Sequence, residues 1–154
     1  MLPKLNFPEY SFRIKKNKGD LFIFDPVRKK FVKLTPEEWV RQHVLCYLIE
    51  EKNFPTSLLV VEKELSVFNR TLRPDVIAYN NDKKPVFLVE CKAPDVEINA
   101  KTWDQALIYN LKLGIKVVFL TNGFQHLCVV SEDEKEPSFI KDIPMYPDLL
   151  EIAL

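Results

Sequence analysis

Two strongly apolar runs, Asp75-Val76-Ile77-Ala78-Tyr79 and Pro85-Val86-Phe87-Leu88-Val89-Glu90-Cys91, flank the polar stretch Asn80-Asn81-Asp82-Lys83-Lys84. β-Branched and aromatic residues bounded by turn formers read as strands, and two such runs joined by a short polar link read as an antiparallel hairpin. A register symmetric about the link sets Tyr79 opposite Val86 and Asp75 opposite Glu90. Directly opposed residues have Cβ atoms about 5 Å apart, so two like charges there repel. The strand period of two puts Lys92 on the same face as Glu90. Two carboxylates and an ammonium therefore gather at one end of a sheet otherwise made of Val, Ile, Leu and Phe. Charge clustered on an apolar sheet requires compensation.

The rest of the chain wraps helices around that hairpin. Residues 10–33 read as a β-meander, with strands Tyr10–Ile14 and Leu21–Phe24 and turns at Asn17-Lys18-Gly19-Asp20 and Asp25-Pro26. Thr35-Pro36-Glu37-Glu38 predicts a helix start, with Thr35 as cap, Pro36 at the first helical position and Glu38 closing a capping box. This helix is expected to reach about Lys52, with Val40, Val44, Tyr47 and Leu48 as its buried stripe. Leu58–Leu65 reads as a strand ahead of the hairpin. A second helix covers about Asn99–Leu113 and stops at Gly114, and strands Lys116–Thr121 and His126–Val130 follow, separated by Asn122-Gly123. Meander, helix, three strands, helix and two strands make a mixed central β-sheet flanked by helices, an α/β fold. At 154 residues the chain is expected to form a single domain. Its parts are a β-meander extension (1–33), a core (34–130) and an acidic tail (131–154) that is expected to pack loosely.

Composition narrows the function classes. A hydrophobic fraction of 47% with 29% charged residues excludes wholesale disorder. Three glycines without a glycine-rich loop leave no phosphate cradle, which excludes a motor ATPase and a dinucleotide enzyme. No apolar run reaches membrane-spanning length and the start lacks a signal peptide's apolar core, so the expected location is cytoplasmic, with no membrane partner. Cys46, Cys91 and Cys128 show no CxxC spacing and read as reduced, buried thiols. His43 and His126 cannot make a His-rich metal site; His126 is expected to be structural, and Glu62 to be a surface residue. The net charge is zero but polarised. Residues 1–33 carry nine Lys/Arg against three Asp/Glu, and residues 131–154 carry two against seven. The basic section suits either a phosphate-tracking arm or a solvated hairpin.

Two readings of the Asp75/Glu90/Lys92 cluster stand side by side. In one, Asp75 and Glu90 supply hard oxygen ligands to a divalent cation that acidifies a bound water, and Lys92 orients that water or stabilises charge on the phosphorane. In the other, the charged strand ends reach solvent and Lys92 neutralises Glu90. Spacing alone leaves both open.

Pro74-Asp75 followed by Glu90-Cys91-Lys92 at a strand end resembles the signature of the PD-(D/E)xK nuclease superfamily. With Thr35-Pro36-Glu37-Glu38-Trp39-Val40-Arg41-Gln42, Arg73-Pro74-Asp75, Val89-Glu90-Cys91-Lys92-Ala93-Pro94, Asp104-Gln105, Tyr109-Asn110 and Thr121-Asn122-Gly123, about residues 30–130 resemble the N-terminal nuclease domain of type I restriction enzyme R subunits. The resemblance implies a restriction-endonuclease-like fold and a metal-dependent endonuclease that hydrolyses DNA phosphodiesters. Asp75 and Glu90 would hold Mg²⁺ or Mn²⁺ and Lys92 would serve the attacking water. It also implies an acid on the first helix beside the metal. Glu37 shares the stripe of Val40, Val44 and Leu48, whereas Glu38 lies about 100° away and suits the capping box, so Glu37 is the expected site residue. As a first-turn acid, Glu37 equally suits the helix dipole.

Gln105 and Tyr109 stand four apart and share a helix face. They resemble the family's Gln-x-x-x-Tyr motif, which implies positioning of nucleic acid and of the site, with Arg41 and Gln42 in support. Leu107, Ile108 and Leu111 are expected to pack elsewhere on that helix. In R subunits a translocase follows the nuclease, and this sequence holds no P-loop, so ATP-driven translocation is not expected of it. A restriction-system or other DNA-processing partner, or self-association, is expected to supplement the DNA affinity of a net-neutral chain. The second function class is a non-catalytic DNA-binding or complex-assembly module that keeps the fold; the complete Asp75/Glu90/Lys92 set favours the enzyme.

Overall fold

A computed structural model describes residues 2–67, 69–132 and 134–154. The meander is a three-stranded antiparallel sheet of β1 (Ile14–Asn17), β2 (Asp20–Asp25) and β3 (Lys30–Lys33). Its first strand lies later than the expected Tyr10–Ile14. Lys18 and Gly19 both take positive φ (50° and 88°), making a two-residue turn that pins Asn17 opposite Asp20 and sets the pairing backwards from there. Phe12, left out of the strand, packs instead on the first helix, 5.1 Å from the Trp39 ring and 4.8 Å from His43.

Helix α1 (Pro36–Cys46) starts at Thr35, whose hydroxyl accepts the Glu38 N–H at 3.1 Å. The reciprocal half of the expected capping box does not form, because the Glu38 carboxylate is taken by Arg28 (2.8 Å) and Arg41 (3.1 Å). A π-type turn over Tyr47–Glu51 carries the helix to the expected end. Val40, Val44 and Leu48 are fully buried, while Tyr47 is half-buried and donates to Asp142. The expected strand Leu58–Leu65 is broken at Glu62, which adopts φ 54°. It becomes β4 (Leu59–Val61) and β5 (Leu65–Val67), the latter in a separate hairpin with β6 (Arg70–Leu72).

The central sheet adds β7 (Val76–Tyr79), β8 (Pro85–Cys91), β9 (Val117–Thr121), β10 (His126–Val130) and β11 (Ser138–Ile140), in the order β11-β10-β9-β8-β7-β4. It is antiparallel except for β8 and β9, which run parallel and need the crossover supplied by α2 (Ala100–Leu113). That helix is capped by Asn99 and ended by Gly114 at φ 66°. Val76 pairs with Val89 and Ala78 with Phe87, the register that carries on to Asp75 opposite Glu90. An irregularity at Ala78/Tyr79 sets Tyr79 opposite Pro85, not Val86.

Helices cover both sheet faces. Val40, Val44 and Leu48 of α1 share one core with Val76, Ala78, Phe87, Val89 and Cys91. Leu88, Val118 and Leu120 form the other with Ala106 and Tyr109 of α2. By alternation Glu90 falls in phase with Leu88, facing α2. The acidic tail packs closely rather than loosely: β11 pairs with β10, and Ile143, Tyr146 and Leu149, the last two from α3 (Tyr146–Ile152), are buried. Its apolar residues outweigh its charge. On α2, Ile108 and Leu111 are exposed instead of packed, Leu111 at 81%. All three cysteines are free, Cys91 and Cys128 buried and Cys46 half-buried. Among the described residues no helix is long and apolar enough to cross a membrane.

Candidate functional site

The end of the β7–β8 hairpin, the first turn of α1 and the middle of α2 converge on one cluster. Asp75 is clamped on both oxygens, accepting from the Arg41 guanidinium at 2.8 Å and from the Cys91 backbone N–H at 2.8 Å. Glu90 is buried and accepts the Tyr109 hydroxyl at 2.9 Å. Burial first, and then the charge of Asp75, push the Glu90 carboxyl up to about 8, with Tyr109 and Lys92 pulling the other way. Burial and the neighbouring Glu90 likewise raise the Tyr109 phenol. Gln105, one turn earlier on α2, is half-buried on the same helix face as Tyr109.

Lys92 follows β8, half-buried, with its backbone N–H on the Thr121 carbonyl at 2.8 Å. Its ammonium bears on Glu90 and on Glu37 alike. Of the two first-turn acids, Glu37 is the one beside Asp75. Partial burial and the Asp75 charge raise its pKa against the pull of Arg41, whose guanidinium is 3.5 Å away. Glu38 sits one tier back, between Arg28 and Arg41.

Arg41 and Gln42 are not at the surface. Arg41 is 4% exposed and pairs with Asp75, Glu38 and Glu62, behind the cluster. Gln42 is fully buried and donates to Asp25 (2.9 Å) and Glu38 (3.2 Å), one layer further from the Asp75–Glu90 pair. Glu62 is not a free surface residue either. It receives Arg41 at 3.1 Å, Arg28 at 3.4 Å and Arg73 at 3.3 Å. Behind them lies Asp25, fully buried, accepting the Val27 and Arg28 backbone N–H groups and the Arg28 guanidinium. Burial opposes its ionisation, but these bonds and that of Gln42 prevail and lower its pKa. The sequence shows Asp25-Pro26 only as a turn; nothing in it announces the partner on α1. His126 is structural as expected, bridging Thr121 Oγ1 (2.7 Å) and the Asn6 carbonyl (2.8 Å).

Among the described residues no group of three or more His, Cys, Asp or Glu side chains is arranged to hold a metal ion. What exists is a pair of buried carboxylates. Their oxygens are hard donors, and the repulsion that raises Glu90 is the strain a cation relieves. The donor set fits a divalent ion with two protein ligands and the remaining positions filled by water, and it does not fit an all-protein cage.

Residues 36–144 match the family model described as the N terminus of the type I restriction enzyme R protein. The chain belongs to this family. The matched span opens at the first residue of α1 and closes after β11, so it contains the whole cluster and leaves the β1–β3 sheet outside. A fragment of a candidate HsdR subunit of a type I restriction enzyme from Vibrio vulnificus YJ016 shares the fold of this R-protein N-terminal domain, with a TM-score of 0.60 at 20% identity over 77% of this chain. The chain spans 25% of that structure's length. More distant are a candidate nuclease of the DUF820 group from Anabaena variabilis ATCC 29413 (TM-score 0.47, 12% identity, 96% of this chain and 95% of the other) and a chain of the DrdV–DNA complex (TM-score 0.47, 12% identity, 77% and 12%). No curated protein matches by sequence.

Proposed function

We propose that this domain is a metal-dependent nuclease that hydrolyses DNA phosphodiester bonds at the Asp75–Glu90–Lys92 cluster. The observation that carries the reading is the buried Asp75–Glu90 pair, held together against its own repulsion at the end of a hairpin with Lys92 alongside. Asp75 and Glu90 would hold Mg²⁺ or Mn²⁺, which supplies Lewis-acid charge and makes water a stronger acid. Arg41 and the Cys91 N–H fix the Asp75 carboxylate, and Tyr109 fixes Glu90. The Lys92 ammonium orients the attacking water and stabilises charge developing on the phosphorane. Glu37 lies at the open side, where it can hold a water or its proton, and Gln105, on the helix face of Tyr109, would help position nucleic acid.

The domain is net-neutral, which supports a restriction-system partner or a second copy of the chain as a source of added DNA affinity. The test is plasmid nicking by the purified protein with Mg²⁺ or Mn²⁺, against EDTA and against Glu90→Ala. Cleavage that needs both the cation and Glu90 supports the reading, and its absence under all divalent cations refutes it for the isolated chain. One observation favours the second reading, a non-catalytic binding or assembly module: among the described residues no group of three or more His, Cys, Asp or Glu side chains is arranged to hold a metal ion. DNA binding without cleavage is the result that reading expects.

A further inference from the structure

The β1–β3 sheet lies outside the family's matched span, and its two faces differ sharply. Ile23 and Asp25, alternate residues of β2, are fully buried against the body of the domain. The intervening positions point the other way. The register sets Lys15, Phe22 and Lys33 in one row across the three strands, and Phe24 beside Phe31 in the next. Arg13 joins that second row, its carbonyl accepting the Phe24 N–H at 2.9 Å. The three phenylalanines are half-buried, and Arg13, Lys15 and Lys33 are exposed. The cations lie over the rings: Arg13 is 4.6 Å from the Phe24 centroid and Lys15 is 4.2 Å from that of Phe31. Asp20, 3.8 Å from Lys33, is an acid on this face, and Lys18 and Lys29, in the turns at its edges, are exposed.

We infer that this face binds single-stranded nucleic acid, with unpaired bases stacking on the Phe22, Phe24 and Phe31 rows and Arg13, Lys15 and Lys33 engaging phosphates. Base–aromatic stacking on a β-sheet bordered by cations is a sequence-tolerant way to hold an unpaired strand, whose bases are free to leave the stack. A solvated hairpin would have no use for three phenylalanines on its outward face. The cations that cover the rings in the free protein are the groups a phosphate backbone attracts, which opens the rings to bases. The sheet is also tied to the proposed active site. Arg28, from the β2–β3 turn, binds Glu38 and Glu62, the same acids that hold Arg41 on Asp75. Lys33 lies four residues before Glu37.

This inference does not depend on catalysis, so the test is run in EDTA. Fluorescence anisotropy with the full chain and a labelled oligothymidylate of about 16 nucleotides is compared with a duplex of equal length. The expected result is tighter binding of the single strand, with Phe22→Leu and Phe31→Leu each weakening it about tenfold. Leucine keeps an apolar side chain at each site, and melting curves check the fold. A Lys15→Gln/Lys33→Gln variant, altering exposed side chains only, is expected to weaken binding and flatten its salt dependence. No binding, equal or tighter duplex binding, or parental affinity in all three variants overturns the inference. A chain that binds single strands through these residues but never cleaves would overturn the nuclease reading alone.

Discussion

Replacing Glu90 with Gln removes a charge that the metal-free fold resists, so it is expected to stabilise the protein in alkaline buffer. The sign follows from the raised pKa. Between an ordinary carboxyl value of 4.5 and about 8, the folded protein keeps a proton on Glu90 that the unfolded chain has released. Stability conferred by that proton is complete below 4.5, declines as pH rises to about 8 and is constant above it. At 1.36 kcal/mol per pKa unit the ceiling on this cost is ~5 kcal/mol. The amide of the variant still has to be desolvated, so the recovered stability is expected to be about 2 kcal/mol. The Tyr109 hydroxyl, now 2.9 Å from a carboxylate oxygen, can donate to the amide carbonyl instead. In a domain of this size about 2 kcal/mol raises Tm by roughly 4 to 8 °C. Melting curves of parent and variant in EDTA from acid to alkaline pH measure it. The gap should be largest in alkaline buffer and should shrink as pH falls toward the ordinary carboxyl range. A gap independent of pH, or a variant less stable than the parent in alkali, would refute the strained pair.

Three further outcomes test the surrounding structure. Arg41→Ala strands Asp75 and Glu38 without their cation in a buried site, with an expected loss of about 3 to 5 kcal/mol; a chemical-denaturation change below about 1 kcal/mol would show that water satisfies those acids. Asp25→Asn should show the opposite pH sign to Glu90. Its lowered pKa gives stability that is present above the unfolded carboxyl value and is lost as pH falls through the folded one, so the variant's deficit at neutral pH should close in acid, and a deficit constant with pH contradicts the network. Gln105→Ala should depress cleavage about 10-fold or more while moving Tm little, since Gln105 itself is half-buried on the site face of α2 and not a core residue; early melting with normal cleavage would make the residue structural.

Elements whose causes are local were legible in the sequence. The β7–β8 hairpin followed from two continuous apolar runs around a polar link, and its far register survives the bulge at Ala78/Tyr79 because the buried faces of Val76 and Val89 hold it. The α1 cap and the Gly114 stop needed only the residues at hand. Four-residue spacing on α2 was enough to bring Gln105 and Tyr109 to the same face, and Tyr109 meets Glu90. Boundaries failed where a tight turn or a single positive φ took control, at Lys18-Gly19 and at Glu62. The tail was misjudged by its charge, because the few apolar side chains of 143–149 decide its packing.

The charged layer behind the cluster had no local signature, and the reason is physical. Asp25, Arg28, Glu38, Arg41 and Glu62 come from three separate stretches of the chain, and each looks like an ordinary surface residue beside its own neighbours. Their burial becomes tolerable only once all are assembled, since the short-range pairs Asp25–Arg28 and Glu38–Arg41 are joined by Arg28–Glu38, Arg28–Glu62 and Arg41–Glu62, whose partners are distant in sequence. A helix pattern therefore leaves open whether Arg41 and Gln42 are surface residues or support, and burial places them in the wall behind the cluster. The same layer has a mechanical consequence. Arg41 holds one oxygen of Asp75, Arg41 is held in turn by Glu38 and Glu62, and both of those acids are shared with Arg28 of the N-terminal sheet. The geometry of the carboxylate pair and the placement of the aromatic sheet are thus set by one set of ion pairs, so a disturbance at Arg28 should be felt at Asp75.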